Sequence, residues 1–117
     1  MMDPFHYASD LEVYPAGQTI FQAGEEGDRM YVVAEGRVEV RVGAAVVEHI
    51  DAGGVFGEMA LLDARTRSAT AVAAEECRLL PIDEAFFLHL VQQSPRFSLK
   101  VMKTMADRLR RSNAPRQ

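Results

Sequence analysis

The sequence predicts a mainly β body closed by two C-terminal helices, and three observations carry that prediction. Turn residues recur about every ten positions between Leu11 and Ile82, the spacing of a β-sandwich or barrel. They are Pro15-Ala16-Gly17, Gly24 with Gly27-Asp28, Glu35-Gly36, Gly43 and Asp51-Ala52-Gly53-Gly54. Between them the apolar residues alternate with polar ones, as in Val38, Val40 and Val42 against Arg37, Glu39 and Arg41. After Ile82 the apolar spacing changes from two residues to helical spacing.

Each element follows in order. Residues 1–10 read as a lead-in, where Pro4 disfavours a helix. Met30 to Val33, the Glu35-Gly36 turn and Arg37 to Val42 make a hairpin with one wet face. Val46 to Ile50, Ala69 to Ala74 and Arg78 to Ile82 are further strands. Asp83 is suited to cap a helix with Glu84 in its first turn, and Phe86, Phe87, Leu90 and Val91 then share one face. Ser94-Pro95 starts a second helix. Val101, Met102, Met105 and Leu109 form one apolar stripe along it, Arg108, Arg110 and Arg111 lie near its end, and Asn113-Ala114-Pro115 stops it.

The chain has 117 residues, 48% hydrophobic and 26% charged, which is the composition of one globular domain. Its net charge of −4 is unevenly spread. Residues 1–94 carry six basic and sixteen acidic side chains, while residues 95–117 carry seven basic and one acidic. The basic end reads as a solvated helix terminus, since cations favour that position, and the acidic body repels a nucleic-acid backbone. No apolar run approaches the ~18 residues that a membrane-spanning helix needs. The single cysteine, Cys77, excludes an internal disulfide and a cysteine-ligated cluster, so a cytoplasmic location is expected.

The chemistry concentrates between Val55 and Thr70. Gly53, Gly54 and Gly57 allow tight turns and close backbone approach. Glu58 to Leu62 supports one short turn of helix, whose free N–H groups attract an anion. Nine residues after Glu58 comes Arg67, a fork suited to phosphate, then Ser68, a further donor. Glu58 would repel a phosphate but accepts hydrogen bonds from hydroxyls beside one. An acid, an anion site and an arginine together suggest a sugar phosphate. Taken alone, Glu58 and Arg67 read rather as a structural ion pair or as two solvated charges.

Phe56-Gly57-Glu58-Met59-Ala60-Leu61-Leu62 followed by Arg67-Ser68-Ala69-Thr70 resembles the phosphate-binding cassette of cyclic nucleotide-binding domains, as found in Crp/Fnr-type regulators and in cyclic nucleotide-dependent kinases and gated channels. Tyr14 to Phe21, Gly24 to Tyr31 and Val33 to Val40 are also similar to that family. The resemblance spans Leu11 to Arg111. It implies a jelly-roll-type β-roll (a double-stranded β-helix) over residues 11–82, with a short cassette helix and C-terminal helices over residues 83–113. It further implies that Arg67 and Ser68 bind the cyclic phosphate, with the backbone of Gly57, Met59 and Ala60, and that Glu58 accepts from the ribose 2′-hydroxyl. Arg108 or Arg110 would cap the base.

The expected ligand is cAMP ahead of cGMP, bound without a metal or other cofactor by a non-catalytic regulatory sensor. The expected partner is an effector protein in trans, with neither membrane nor direct DNA binding, because no helix-turn-helix follows the last helix. The apolar stripe of that helix has two readings: a cover for its own β-roll, at least as favoured, and a homodimer contact with a second copy. The pattern departs from the family at Thr66, where proline is common, and at Arg65, a second candidate for the phosphate. Two alternatives stand on the same fold: a ligand-free protein-interaction module and a cupin-type metalloprotein. The latter is disfavoured because His6, His49 and His89 are far apart in sequence. Pairing Cys77 with His49 as haem ligands is disfavoured by the strand position of Cys77, which reads as a buried thiol.

Overall fold

The computed structural model describes residues 10–62 and 66–112. The lead-in, Arg65 and the Asn113-Ala114-Pro115 stop therefore lie outside the described residues. Eight strands are described: β1 Glu12–Tyr14, β2 Thr19–Phe21, β3 Arg29–Glu35, β4 Arg37–Val42, β5 Ala45–Asp51, β6 Val55–Phe56, β7 Thr70–Ala73 and β8 Cys77–Asp83. Three helices accompany them: α1 Met59–Leu62, α2 Glu84–Gln93 and α3 Pro95–Ser112. The strands form two four-stranded antiparallel sheets, ordered β1-β8-β3-β6 and β2-β7-β4-β5. The fold is thus the mainly β roll with a cassette helix and two C-terminal helices that the sequence predicts.

The central strands explain why the interior is double. β3 is buried on both faces, and its successive side chains point to opposite sides. Tyr31 and Val33 join Val38, Ile50, Phe56, Ala71, Ala73, Cys77 and Leu79 between the two sheets. Met30 and Val32 join Val55, Leu80, Ile82, Leu90, Phe97 and Val101 beneath the helices. The first sheet is therefore covered by the second sheet on one face and by α2 and α3 on the other.

Local chemistry sets the helix ends. The Asp83 side chain accepts a hydrogen bond from the Phe86 N–H at 2.8 Å, capping α2, and Glu84 occupies its first turn. Ser94 closes α2 by donating its N–H to the Leu90 carbonyl at 2.7 Å. Proline then opens α3, where its missing N–H costs nothing.

The single apolar stripe expected on α3 divides between two faces. Val101 is buried and Met105 half-buried against the sheet, whereas Met102 and Leu109 are more than half exposed. The inner face comprises Phe97, Val101 and Met105, at spacings of four. The outer one comprises Leu99, Met102, Ala106 and Leu109, at the 3-4-3 spacing of a coiled-coil seam. Methionines at both 102 and 105 blur the two series in the sequence.

Candidate functional site

A cavity of about 320 Å³ opens at one end of the roll. It is lined by Phe21 of β2, Val40 of β4, Glu48 of β5 and Phe56 of β6, by residues 57–60 and 66–69, and by Arg108 of α3. Two aromatic rings of the lining, Phe21 and Phe56, lie 5.9 Å apart and tilted, and Phe56 stacks in turn on Tyr31 at 5.2 Å. The two conspicuous polar residues of the wall, Glu58 and Arg67, are 6% and 8% exposed.

Arg67 is placed by its backbone before its side chain. Its N–H donates to the Glu25 carbonyl and its own carbonyl accepts from the Gly24 N–H, both at 2.8 Å. A bridge between Glu26 and Thr66 continues this clamp to the β2–β3 loop. The guanidinium then lies 4.0 Å from the centre of the Phe21 ring. Its Nη1 donates to the Gly57 carbonyl at 3.1 Å and its Nη2 to the Arg29 carbonyl at 2.7 Å. Nε is buried with no hydrogen-bond partner. No carboxylate among the described residues forms an ion pair with Arg67, and desolvation draws its pKa below the ordinary arginine value. A buried cation without a counter-ion is costly, and an anion in the cavity removes that cost.

Two glycines make this placement sterically accessible. Gly57 has φ +78°, a left-handed conformation that favours glycine, and a Cβ there would sit 2.9 Å from Arg67 Nη1. At Gly27 a Cβ would fall onto the guanidinium itself. Sequence reasoning read Gly27 as turn punctuation; its role depends on a contact with Arg67, forty residues away, which local turn chemistry does not reveal.

Glu58 does not pair with Arg67, so the simple ion-pair reading of these two residues fails. Its Oε1 accepts from Nη1 of Arg108 at 2.7 Å. Arg108 also donates through Nε to Glu48 at 2.9 and 3.2 Å, and through Nη2 to the Val55 carbonyl at 2.7 Å. Arg111 reaches Glu48 as well, at 3.2 Å. Burial pulls the Glu48 carboxyl upward, but hydrogen bonds and charge from Arg108 and Arg111 hold its pKa below the usual value. The basic end of the chain is thus only partly a solvated terminus. Arg108, on the helix face toward the roll, neutralises two carboxylates of the acidic body. Sequence reasoning missed Glu48, whose only signal was an acid following the apolar Ala45-Val46-Val47 run of β5.

The other predicted residues are distributed unevenly. Gly57, Met59, Ala60 and Ser68 line the cavity. The Ala60 N–H is engaged weakly with the Gly57 carbonyl, at 3.3 Å, and Ser68 is exposed. Arg110 does not line the cavity; it is exposed and paired with Asp107. Cys77 is buried in β8 and donates to the Arg37 and Glu75 carbonyls, whereas His49 lies in the other sheet, 3.6 Å from Glu39. Among the described residues no three histidines, cysteines or acids are grouped to hold a metal ion, and no helix is long and apolar enough to cross a membrane.

The two-sheet β-roll thus carries a buried arginine that has no ion pair among the described residues, with a buried acid in the same cavity wall. Comparison with known proteins identifies its family. The Cyclic nucleotide-binding domain family matches residues 11–94. The chain is 42% identical over 96 residues to a cyclic nucleotide-gated potassium channel of Rhizobium etli, covering 82% of this chain and 27% of that protein. It is 35% identical over 106 residues to the cyclic AMP receptor protein of Thermus thermophilus, covering 86% and 49%. The crystal structure of the Thermus thermophilus catabolite activator protein superposes with a TM-score of 0.75 at 34% identity, over 90% of this chain and 53% of that one. The chain belongs to the cyclic nucleotide-binding domain family. It spans between about a quarter and a half of the length of these curated relatives.

Proposed function

We propose that the cavity binds a 3′,5′-cyclic nucleotide, cAMP ahead of cGMP, and that the domain is a non-catalytic sensor reporting occupancy through α2 and α3. The buried Arg67, with Nε unsatisfied and no ion pair among the described residues, carries this reading. A cyclic phosphate supplies the missing anion; Ser68 and the backbone at Gly57, Met59 and Ala60 add donors. Glu58 accepts from the 2′-hydroxyl, which a 3′,5′-cyclic phosphate leaves free. The resemblance over most of the chain to a receptor named for cyclic AMP supports the order of the two ligands.

Arg108 gives the signal a route. It belongs to α3 yet bonds the cassette acid, so a ligand that moves Glu58 moves the helix. Held by two carboxylates, its planar guanidinium also presents a face on which a purine can stack. Coupling requires tighter binding to one helix arrangement than to another. The output then passes to an effector protein contacting the helices rather than to DNA, which the acidic body disfavours.

The test is a thermal-shift titration with cAMP, cGMP, 5′-AMP and ATP on protein stripped of ligand by refolding. A cyclic nucleotide at one hundred times its Kd should add about 2.7 kcal/mol, a rise on the order of 10 °C, with no comparable rise from 5′-AMP. No shift with any of them at millimolar concentration removes the sensor reading and leaves the interaction-module alternative.

The outer face of α3 favours one further feature of this reading, a homodimer. Leu99, Met102 and Leu109 are each more than half exposed at seam spacing. Sedimentation equilibrium should show a dimer that Met102→Glu converts to monomer; a monomer in the parent protein at high micromolar concentration refutes the arrangement.

A further inference from the structure

Glu48 lines the same cavity as Glu58 and Arg67, although it comes from a different sheet edge. β5 reaches that position through an irregularity in its pairing with β4. Val40 pairs with Glu48, but the next residue, Arg41, pairs with Val46, so Val47 is passed over. Such a bulge re-aims the side chains beside it. Glu48 thereby stands opposite Val40, with which it shares the cavity wall. Its carboxylate receives the Nε edge of Arg108, leaving Nη1 for Glu58 and Nη2 for the Val55 carbonyl.

The division of that guanidinium matters. A guanidinium fork facing a single carboxylate takes both of its oxygens. Here Arg108 takes only Oε1 of Glu58, and among the described residues Oε2 has no hydrogen-bond partner. The Val55 carbonyl takes Nη2 and Glu48 takes Nε, which fixes the orientation of the guanidinium, and Arg111 steadies Glu48 in turn. We propose that Glu48 is a positioning residue for ribose recognition: by anchoring Nε of Arg108 it holds the guanidinium with Nη2 on the Val55 carbonyl, so that Arg108 bonds only Oε1 of Glu58 and Oε2 stays available to a ligand hydroxyl. The proposal rests on the sensor reading above and assigns a role in it to a residue that touches neither phosphate nor ribose.

Without Glu48 the guanidinium is free to turn, and Nη2 can leave the neutral Val55 carbonyl for the charged Glu58 carboxylate. Both Glu58 oxygens are then engaged by Arg108 and the 2′-hydroxyl must compete for them, while the phosphate end of the cavity is unchanged. The predicted defect is specific: binding of the ribonucleotide weakens, and binding of its 2′-deoxy counterpart does not.

The experiment measures Kd by calorimetry for cAMP and 2′-deoxy-cAMP, and for the corresponding GMP pair, on the whole chain and on Glu48→Ala and Glu48→Gln. The parent should prefer the ribonucleotide about tenfold or more, the worth of one charge-assisted hydrogen bond. Glu48→Ala should reduce the preference below about threefold by weakening only the ribonucleotide. Glu48→Gln, which keeps an acceptor for Nε without the charge, should lie between and serves if the alanine variant does not fold. Equal weakening of both ligands would mark Glu48 as merely structural and overturn the proposal, as would an unchanged preference in both variants. A parent that binds neither cyclic nucleotide removes the sensor reading and this proposal with it, an outcome distinct from a parent that binds with a preference insensitive to Glu48.

Discussion

At the scale of single residues, the proposed site depends on Arg67 being buried and forked, with no ion pair among the described residues. Arg67→Ala should weaken cyclic nucleotide binding by well over tenfold, because at least one charge-assisted hydrogen bond goes with it. Arg67→Lys should not rescue it, since an ammonium cannot reproduce the planar fork held by the Gly57 and Arg29 carbonyls. Glu58→Ala should weaken binding less. Calorimetry on the three variants checks the order; parent-like binding in both alanine variants would refute the assignment. Gly27 makes a sharper case, because its contribution is the space it leaves. Gly27→Ala places a methyl group on the Arg67 guanidinium and should cost about 1–3 kcal/mol of stability. It should also impair binding, although Gly27 itself offers the ligand no side chain. Urea unfolding and calorimetry on that variant read both effects.

At the scale of elements, α3 is held to the roll in two ways, by Phe97 and Val101 packed beneath it and by Arg108 at its far end. The second attachment is electrostatic and responds to pH. Because hydrogen bonds from Arg108 and Arg111 depress the Glu48 pKa in the folded state, the pair contributes stability above the ordinary carboxyl pKa of about 4.3. That contribution is lost as pH falls through the lower, folded-state value. The thermal midpoint should therefore fall more steeply below about pH 4.3 in the parent than in Glu48→Gln. Arg108→Ala leaves two partly buried carboxylates without their cation and should cost about 1–3 kcal/mol at neutral pH, discounted from the fully buried case because Arg108 and Glu48 retain some exposure. Urea unfolding measures it, and equal stability of parent and variant would show that the network does not hold the helix.

At the scale of the whole molecule, one sheet is shared by two cores, so the helices are not an appendage. Met30, Val32, Leu80 and Ile82 bury themselves only if α2 and α3 cover them. Phe97 is 1% exposed within that cover. Phe97→Ala should cost about 3–5 kcal/mol, a large part of the ~5–15 kcal/mol by which domains are stable. A circular-dichroism melt should show the entire roll destabilised in one transition. A separate early transition confined to helical signal would mean that the helices fold independently of the sheets. The side chains that line the cavity and those that seat the helix are also joined, through Arg108 and Val55, and this contact is the route that the proposed sensor function would use.

Much of this was legible in the chain itself. Periodicity of two, then of 3.6, together with turn residues and the Asp83 and Pro95 helix starts, determined a β body followed by two helices, because these signals are local and each residue reports its own backbone preference. The residues between Phe56 and Thr70 also determined one part of the cavity wall, because closely spaced residues of one loop and one helical turn are brought together by short chain segments, whereas Phe21, Val40, Glu48 and Arg108 join it only in the folded chain. Only the tertiary structure decided which charges meet. Glu58 has several arginines in the chain as candidate partners; it takes Arg108, fifty residues away, and Arg108 takes Glu48, sixty residues away. Those pairings follow from how α3 docks on the first sheet and from the irregular pairing that re-aims Glu48, and neither has a local signature. The division of the α3 stripe into an inner and an outer face, and the vacancy that Gly27 leaves for Arg67, were decided in the same way: each is a contact between segments that approach only when the roll closes.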